Sequence, residues 1–144
     1  MANCKTRREL FDSAHDDDTR PRVLLAEDDG EMRKLVAERL SKSGYDVTEV
    51  ANGLELLRML EDHLCHARGL SFDVVVSDVR MPGASAIGGL QLVHELDPAL
   101  PVVLMTGFPD DVRDAARLGA VSLLQKPFPI KRLVDVLHAV APAR

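Results

Sequence analysis

The sequence predicts a three-layer, doubly wound α/β sandwich built on a five-stranded parallel sheet. Three observations carry this reading. Five short apolar runs alternate with five segments of helical periodicity, and the connections between them are short. The runs are apolar throughout rather than in alternation, as strands buried on both faces must be. Right-handed crossovers then distribute the helices over both faces of the sheet.

The elements follow in order. Residues 22–26 (RVLLA) form the first apolar run. Residues 31–44 (EMRKLVAERLSKSG) place Met32, Leu35, Val36 and Leu40 at helical spacing, with Gly44 as the C-cap. Residues 45–50 (YDVTEV) have strand character through Val47, Thr48 and Val50, and residues 53–64 repeat leucines with a helical period. Residues 72–77 (FDVVVS) form the central strand. A short helix is expected over 89–96 and a fourth strand over 101–106 (PVVLMT). Residues 109–119 carry Val112, Ala115, Ala116 and a closing Gly119. Residues 120–125 form the fifth strand, and 129–140 set Ile130, Leu133, Val134 and Leu137 on one helical stripe.

At 144 residues the chain is read as one domain over 21–142, preceded by a mobile N-terminal tail over 1–20 that mixes charges without periodicity. A net charge of -5, no tryptophan and no basic stripe argue against direct nucleic-acid binding. Cys4 and Cys65 make neither a disulfide framework nor a metal cluster. With no apolar run suited to a signal peptide or membrane span, a soluble cytoplasmic protein is expected.

In doubly wound folds, ligands bind outside the carboxyl ends of the strands. The first run ends in Glu27, Asp28 and Asp29, the third at Asp78, the fourth at Thr106, and the fifth near Lys126. Carboxylates gathered on one edge repel one another. A hard divalent cation such as Mg²⁺ resolves the conflict. Lys126 adds a point charge suited to a phosphoryl group, Thr106 adds a hydroxyl, and Asp78 becomes a nucleophile able to form an aspartyl-phosphate. Each residue has a plainer role open to it. Asp28 or Asp29 can cap a helix, Lys126 can be a surface lysine, and Thr106 can simply favour a strand. Asp78, directly after VVVS, has no such role.

The motifs LLAEDD (24–29), SDVRMPG (77–83), VVLMTGF (102–108) and LLQKPF (123–128) occur in this order. With them the chain resembles the receiver domain of two-component response regulators over roughly residues 21–141. The resemblance implies the flavodoxin-like strand order 2-1-3-4-5. It assigns Asp78 as phosphoacceptor, Asp28 as a direct Mg²⁺ ligand, and Glu27 as a neighbour acting mainly through water. The backbone carbonyl of Arg80 is assigned to the metal, with no part required of its side chain. Thr106 matches the switch hydroxyl, and Lys126 the lysine that pairs with the phosphoryl oxygen. The Lys126–Pro127 bond is expected to be cis. Met81, Pro82 and Gly83 shape the loop beyond the phosphoacceptor.

The resemblance further implies phosphotransfer from a histidine kinase or phosphotransfer protein. That event switches the face made by the fourth helix, fifth strand and fifth helix for an output protein not named by the sequence. The same face is one through which receivers form homodimers. No enzymatic turnover is expected beyond the domain's own phosphorylation and dephosphorylation. The chain reads as a stand-alone receiver or as a piece of a longer regulator or hybrid kinase.

Three departures stand out. Leu123 occupies the fifth-strand position where receivers usually carry an aromatic residue. This keeps open a phosphorylation-independent pseudo-receiver that acts only by binding. Residues 61–71 lengthen the second crossover, and residues 83–89 lengthen the loop after Asp78. An aspartyl-phosphate phosphohydrolase of the haloacid-dehalogenase type competes as an enzyme reading. Those enzymes carry a second acid two residues past the nucleophile, where this chain has Arg80.

Overall fold

A computed structural model describes residues 19–65, 71–83 and 86–143. The expected tail over 1–20 lies outside the described residues except for Thr19 and Arg20, as does the middle of the long second crossover, 66–70. The elements are β1 (Arg22–Ala26), α1 (Gly30–Lys42), β2 (Asp46–Val50), α2 (Gly53–Cys65), β3 (Val74–Asp78) and α3 (Ala86–Leu96). After these come β4 (Val102–Thr106), a 3-10 turn (Pro109–Asp111), α4 (Val112–Arg117), β5 (Ser122–Gln125) and α5 (Ile130–Val140).

The five strands form one parallel sheet in the order β2-β1-β3-β4-β5, as expected. Successive side chains of a strand point to opposite faces, and the apolar runs supply both faces at once. Leu24, Ala26, Val75, Val102 and Leu104 join Leu56, Leu60, Leu90, Val93 and Leu118 in the core under α2, α3 and α4. Val23, Leu25, Val74, Val76, Val103 and Met105 join Val36, Leu40, Leu133 and Leu137 in the core under α1 and α5. Burying a side chain of this size contributes roughly 1.5–3 kcal/mol, so both faces hold the helices firmly.

Registry aligns the strand ends. Ala26 lies opposite Ser77, Asp78 opposite Met105, and Thr106 opposite Gln125. Whatever follows β1, β3, β4 and β5 therefore emerges along one edge.

Strand boundaries shift by one or two residues, β3 starting at Val74 rather than 72 and β5 at Ser122 rather than 120, and three further differences stand out. Helix α3 begins at Ala86, so Ile87 and Gly88 are helical where a lengthened loop over 83–89 was expected. Two glycines with poor helix propensity conceal this start. Gly89 lets α3 lie close to α2: a Cβ there would lie 1.9 Å from Leu57 Cδ2, so that side chain would have to turn aside to admit one. Residues 109–111 form a 3-10 turn instead of the first turn of α4. Gly44, with φ of 100°, follows the C-cap residue Ser43 rather than being it. No helix among the described residues is long and apolar enough to cross a membrane.

Candidate functional site

Where β1 ends, the Glu27 backbone N–H donates to the Val50 carbonyl at 3.1 Å. Arg33 Nη1 donates to the Glu27 carbonyl at 2.9 Å and braces the turn. The Glu27 side chain is buried, 1% exposed, beneath the strand ends. Asp28 is exposed. Asp29 caps α1: its Oδ1 accepts from the backbone N–H groups of Glu31 at 3.0 Å and Met32 at 3.2 Å. The capping role left open between Asp28 and Asp29 thus belongs to Asp29. Asp78 closes β3 as its last residue, and it too is buried.

Lys126 follows β5. Its backbone N–H donates to the Thr106 carbonyl at 2.7 Å, and the Lys126–Pro127 bond is cis. Its ammonium nitrogen lies 2.5 Å from Glu27 Oε1 and 2.8 Å from Asp78 Oδ2, bridging two carboxylates from different strands. Oxygen atoms of Glu27, Asp28 and Asp78 all fall within 4.8 Å of one another. Three carboxylates gathered this closely suit a hard divalent cation, so these three residues could hold a metal ion.

The charges show how crowded the edge is. Burial pushes the Glu27 carboxyl up to about 7, with help from Asp28 and the charge of Asp78, against the lowering effect of Lys126. Burial works against the Lys126 ammonium, but hydrogen bonds to Asp78 and Glu27 outweigh it and hold the proton more tightly than usual. Among the described residues, no buried side-chain polar atom lacks a hydrogen-bond partner.

Thr106 and Arg80 depart from a simple convergence on Asp78. The Thr106 hydroxyl donates to Asp111 Oδ2 at 2.5 Å, and the Phe108 backbone N–H donates to Thr106 Oγ1 at 2.9 Å. Arg80 keeps its backbone beside the acid, its N–H donating to Asp78 Oδ1 at 3.2 Å. Its side chain, of which the metal site requires nothing, is engaged elsewhere. Nε and Nη2 reach the two Asp111 oxygens at 3.3 and 3.1 Å, and the guanidinium lies 3.8 Å above the Phe108 ring centroid. Burial raises the Asp111 carboxyl, yet the bonds from Arg80 and Thr106 and the guanidinium charge more than compensate, leaving it below the usual carboxylate value. The side chain of Leu123, opposite Leu104 in the sheet, packs partly buried against the core under α4.

Sequence reasoning missed Asp111, Phe108 and Arg33. Pro109-Asp110-Asp111 reads as an ordinary helix start. The β3–β4 register and the conformations of the loops beyond both strands together bring Arg80 within reach of Asp111.

Comparison with known proteins agrees with this geometry. The family model described as the response regulator receiver domain matches residues 23–138. The response regulator receiver protein CpdR of Brucella abortus is 35% identical over 123 residues, spanning 81% of this chain and 93% of CpdR. The C4-dicarboxylate transport transcriptional regulatory protein DctD of Rhizobium meliloti is 35% identical over 120 residues. That match covers 80% of this chain but 24% of DctD, so the chain spans about a quarter of that relative's length. Among solved structures, the chemotaxis response regulator CheY4 of Vibrio cholerae is 28% identical with a TM-score of 0.71. It covers 85% of this chain and 99% of its own. TrrA of Thermotoga maritima, solved in complex with Mg²⁺–BeF, shares the fold at 22% identity and a TM-score of 0.71, covering 83% of this chain and 98% of its own.

Proposed function

The chain belongs to the response regulator receiver domain family, and on that premise we propose that it is the phosphoacceptor module of a two-component signalling system. Receiver domains are signalling modules that interact with histidine kinases and output domains. In this chain Asp78 is the acceptor. A carboxylate oxygen of Asp78 attacks the phosphorus of a phosphohistidine on a histidine kinase or phosphotransfer protein. The new O–P bond forms as the P–N bond breaks, and its electron pair returns to the imidazole nitrogen. Mg²⁺, held by Glu27, Asp28, Asp78 and the carbonyl of Arg80, would neutralise charge on the transferring group. Lys126 stabilises a phosphoryl oxygen from the other side, and Thr106 supplies the hydroxyl that responds to the new group.

The observation that carries this reading is the bridge of Lys126 between Glu27 and Asp78 beside an oxygen cluster within 4.8 Å. A buried acid flanked by a fixed cation and two more carboxylates is suited to accepting a phosphoryl group together with its metal. The phosphorylated state shifts an existing equilibrium at the α4–β5–α5 face toward the form that an output partner recognises.

The test is incubation with acetyl phosphate and Mg²⁺, and with a panel of phosphorylated histidine kinases. Wild type takes up one phosphoryl group, and Asp78→Asn takes up none. Equal labelling of the Asn variant would show that the acceptor lies elsewhere. Equal partner binding by both proteins would favour a module that works without phosphorylation.

A further inference from the structure

The hydroxyl assigned to the switch is already committed to another group. Thr106 Oγ1 has one proton, and the 2.5 Å contact aims it at Asp111 Oδ2. The Phe108 backbone N–H fills an acceptor direction of the same oxygen at 2.9 Å. Asp111 is 4% exposed and carries a carboxylate that can only accept while ionised. A charge-assisted bond of this length is stronger than a neutral one. A hydroxyl cannot donate one proton to two acceptors.

We propose that Asp111 is a positioning residue that holds the Thr106 hydroxyl off the phosphoryl site, so that a phosphoryl group on Asp78 must win that hydroxyl from the Asp111 carboxylate. This rests on the reading of Asp78 as the phosphoacceptor and deepens it, because it sets how far the unphosphorylated domain leans toward the inactive form.

Arg80 makes the arrangement reversible. When Thr106 leaves, Asp111 keeps both bonds from the guanidinium fork, so no buried carboxylate is stranded without a partner. Arg80 also carries the event to the surface. Its side chain is 53% exposed and lies over the Phe108 ring, and Phe108 is itself half-exposed. Inward movement of Thr106 pulls on the Phe108 backbone N–H, so the Arg80–Phe108 stack reports the state of the hydroxyl.

The test uses the full chain and beryllofluoride, an acyl-phosphate mimic, titrated calorimetrically at saturating Mg²⁺. Removing the competing acceptor in Asp111→Ala should tighten beryllofluoride binding by roughly tenfold, the lower range for a charge-assisted hydrogen bond. Asp111→Asn, which keeps the shape and a weaker acceptor, should tighten it less. It also serves as the readout if the Ala variant does not fold.

Removing a nearby negative charge would by itself favour an anion, so both substitutions are repeated on Thr106→Val. The latch requires the gain to vanish once the hydroxyl is gone. A gain of equal size in the Thr106→Val background would mean a charge effect and would overturn the proposal, as would unchanged affinity in both Asp111 variants. Absence of beryllofluoride binding in every protein, wild type included, would instead overturn the reading of Asp78 and the latch along with it.

Discussion

Lys126 Nζ sits 2.8 Å from Asp78 Oδ2, and the same ammonium reaches Glu27 at 2.5 Å. In the protein without metal, this lysine compensates two buried acids and occupies the place where a cation's charge is needed. Lys126→Met should therefore act in opposite directions on two properties. Apo stability should fall by about 2 kcal/mol. This is below the ~3–5 kcal/mol of a fully buried pair, because Lys126 is partly exposed and Glu27 can take up a proton instead. Mg²⁺ should bind more tightly, by at least about tenfold, since a neighbouring positive charge has gone. Acetyl phosphate labelling should nonetheless drop, because the phosphoryl group loses its fixed counter-charge. Urea unfolding with and without Mg²⁺, calorimetry and a labelling time course check the three parts. Weaker Mg²⁺ binding in the variant would show that Lys126 supports the metal rather than competing with it.

Adjacent acids should separate cleanly. Asp29 spends its carboxylate on the first turn of α1, while Asp28 contributes an oxygen to the cluster with Glu27 and Asp78. Asp29→Ala should lower stability by about 1 kcal/mol, as the loss of a helix cap does, with Mg²⁺ affinity near that of wild type. Asp28→Ala should show the reverse, weakened Mg²⁺ binding at nearly unchanged stability. Thermal unfolding of both variants in chelator, followed by Mg²⁺ titration, decides it. A single pattern shared by both variants would contradict the division of labour.

Much of this was legible in the sequence, and the reason is physical. Parallel strands buried on both faces leave apolar runs such as VVV at 74–76. A parallel sheet then brings all carboxyl ends to one edge, so the sequence alone groups Glu27, Asp78 and Lys126. The Thr106–Asp111–Arg80 network was not legible. It depends on loop conformations and on which way a hydroxyl points, and neither leaves a periodic trace. The start of α3 was hidden for a different reason. Gly88 and Gly89 argue against a helix by propensity, whereas the bare backbone at position 89 leaves room for the Leu57 side chain of α2.

Tyr45 gives a direct readout of the second core, because it is the chain's single tyrosine. It is fully buried, its hydroxyl donates to the Ala141 carbonyl at 2.8 Å, and it stacks on His138 with ring centroids 5.8 Å apart. Burial raises its pKa above the ordinary 10.0. A group whose folded value is raised contributes stability that is present below the unfolded value and lost as pH rises through the folded one. This contribution should thus be constant below about pH 10 and decline above it. Tyrosinate absorbance should show a midpoint above 10.0 in the folded protein, falling back to the ordinary value in urea. Tyr45→Phe should remove the tyrosine's share of the alkaline decline, leaving that of Lys126, and cost about 1 kcal/mol at neutral pH, the worth of one hydrogen bond. A folded midpoint at or below the ordinary value would contradict the burial of this ring.

His63 should prove structural, not functional. It is buried near the end of α2, and its Nδ1 accepts the Phe72 backbone N–H at 2.9 Å. That bond leaves the ring proton on Nε2, which donates to Asp97 Oδ2 at 2.8 Å. One imidazole therefore ties α2, the chain entering β3 and the turn after α3. Phe72 precedes the first residue of β3, so the tie lies at the opposite edge of the sheet from Asp78. His63→Leu leaves the Phe72 N–H without this acceptor, and a buried donor so stranded costs about 1–3 kcal/mol. His63→Gln, whose amide oxygen can accept, should recover part of the loss. Denaturant midpoints should rank wild type above Gln above Leu, while acetyl phosphate labelling of Asp78 stays at the wild-type rate wherever the protein is folded. A slowed labelling rate in folded His63→Leu would show that this tie communicates with the acidic edge, and equal stability of all three proteins would remove it from the list of supports.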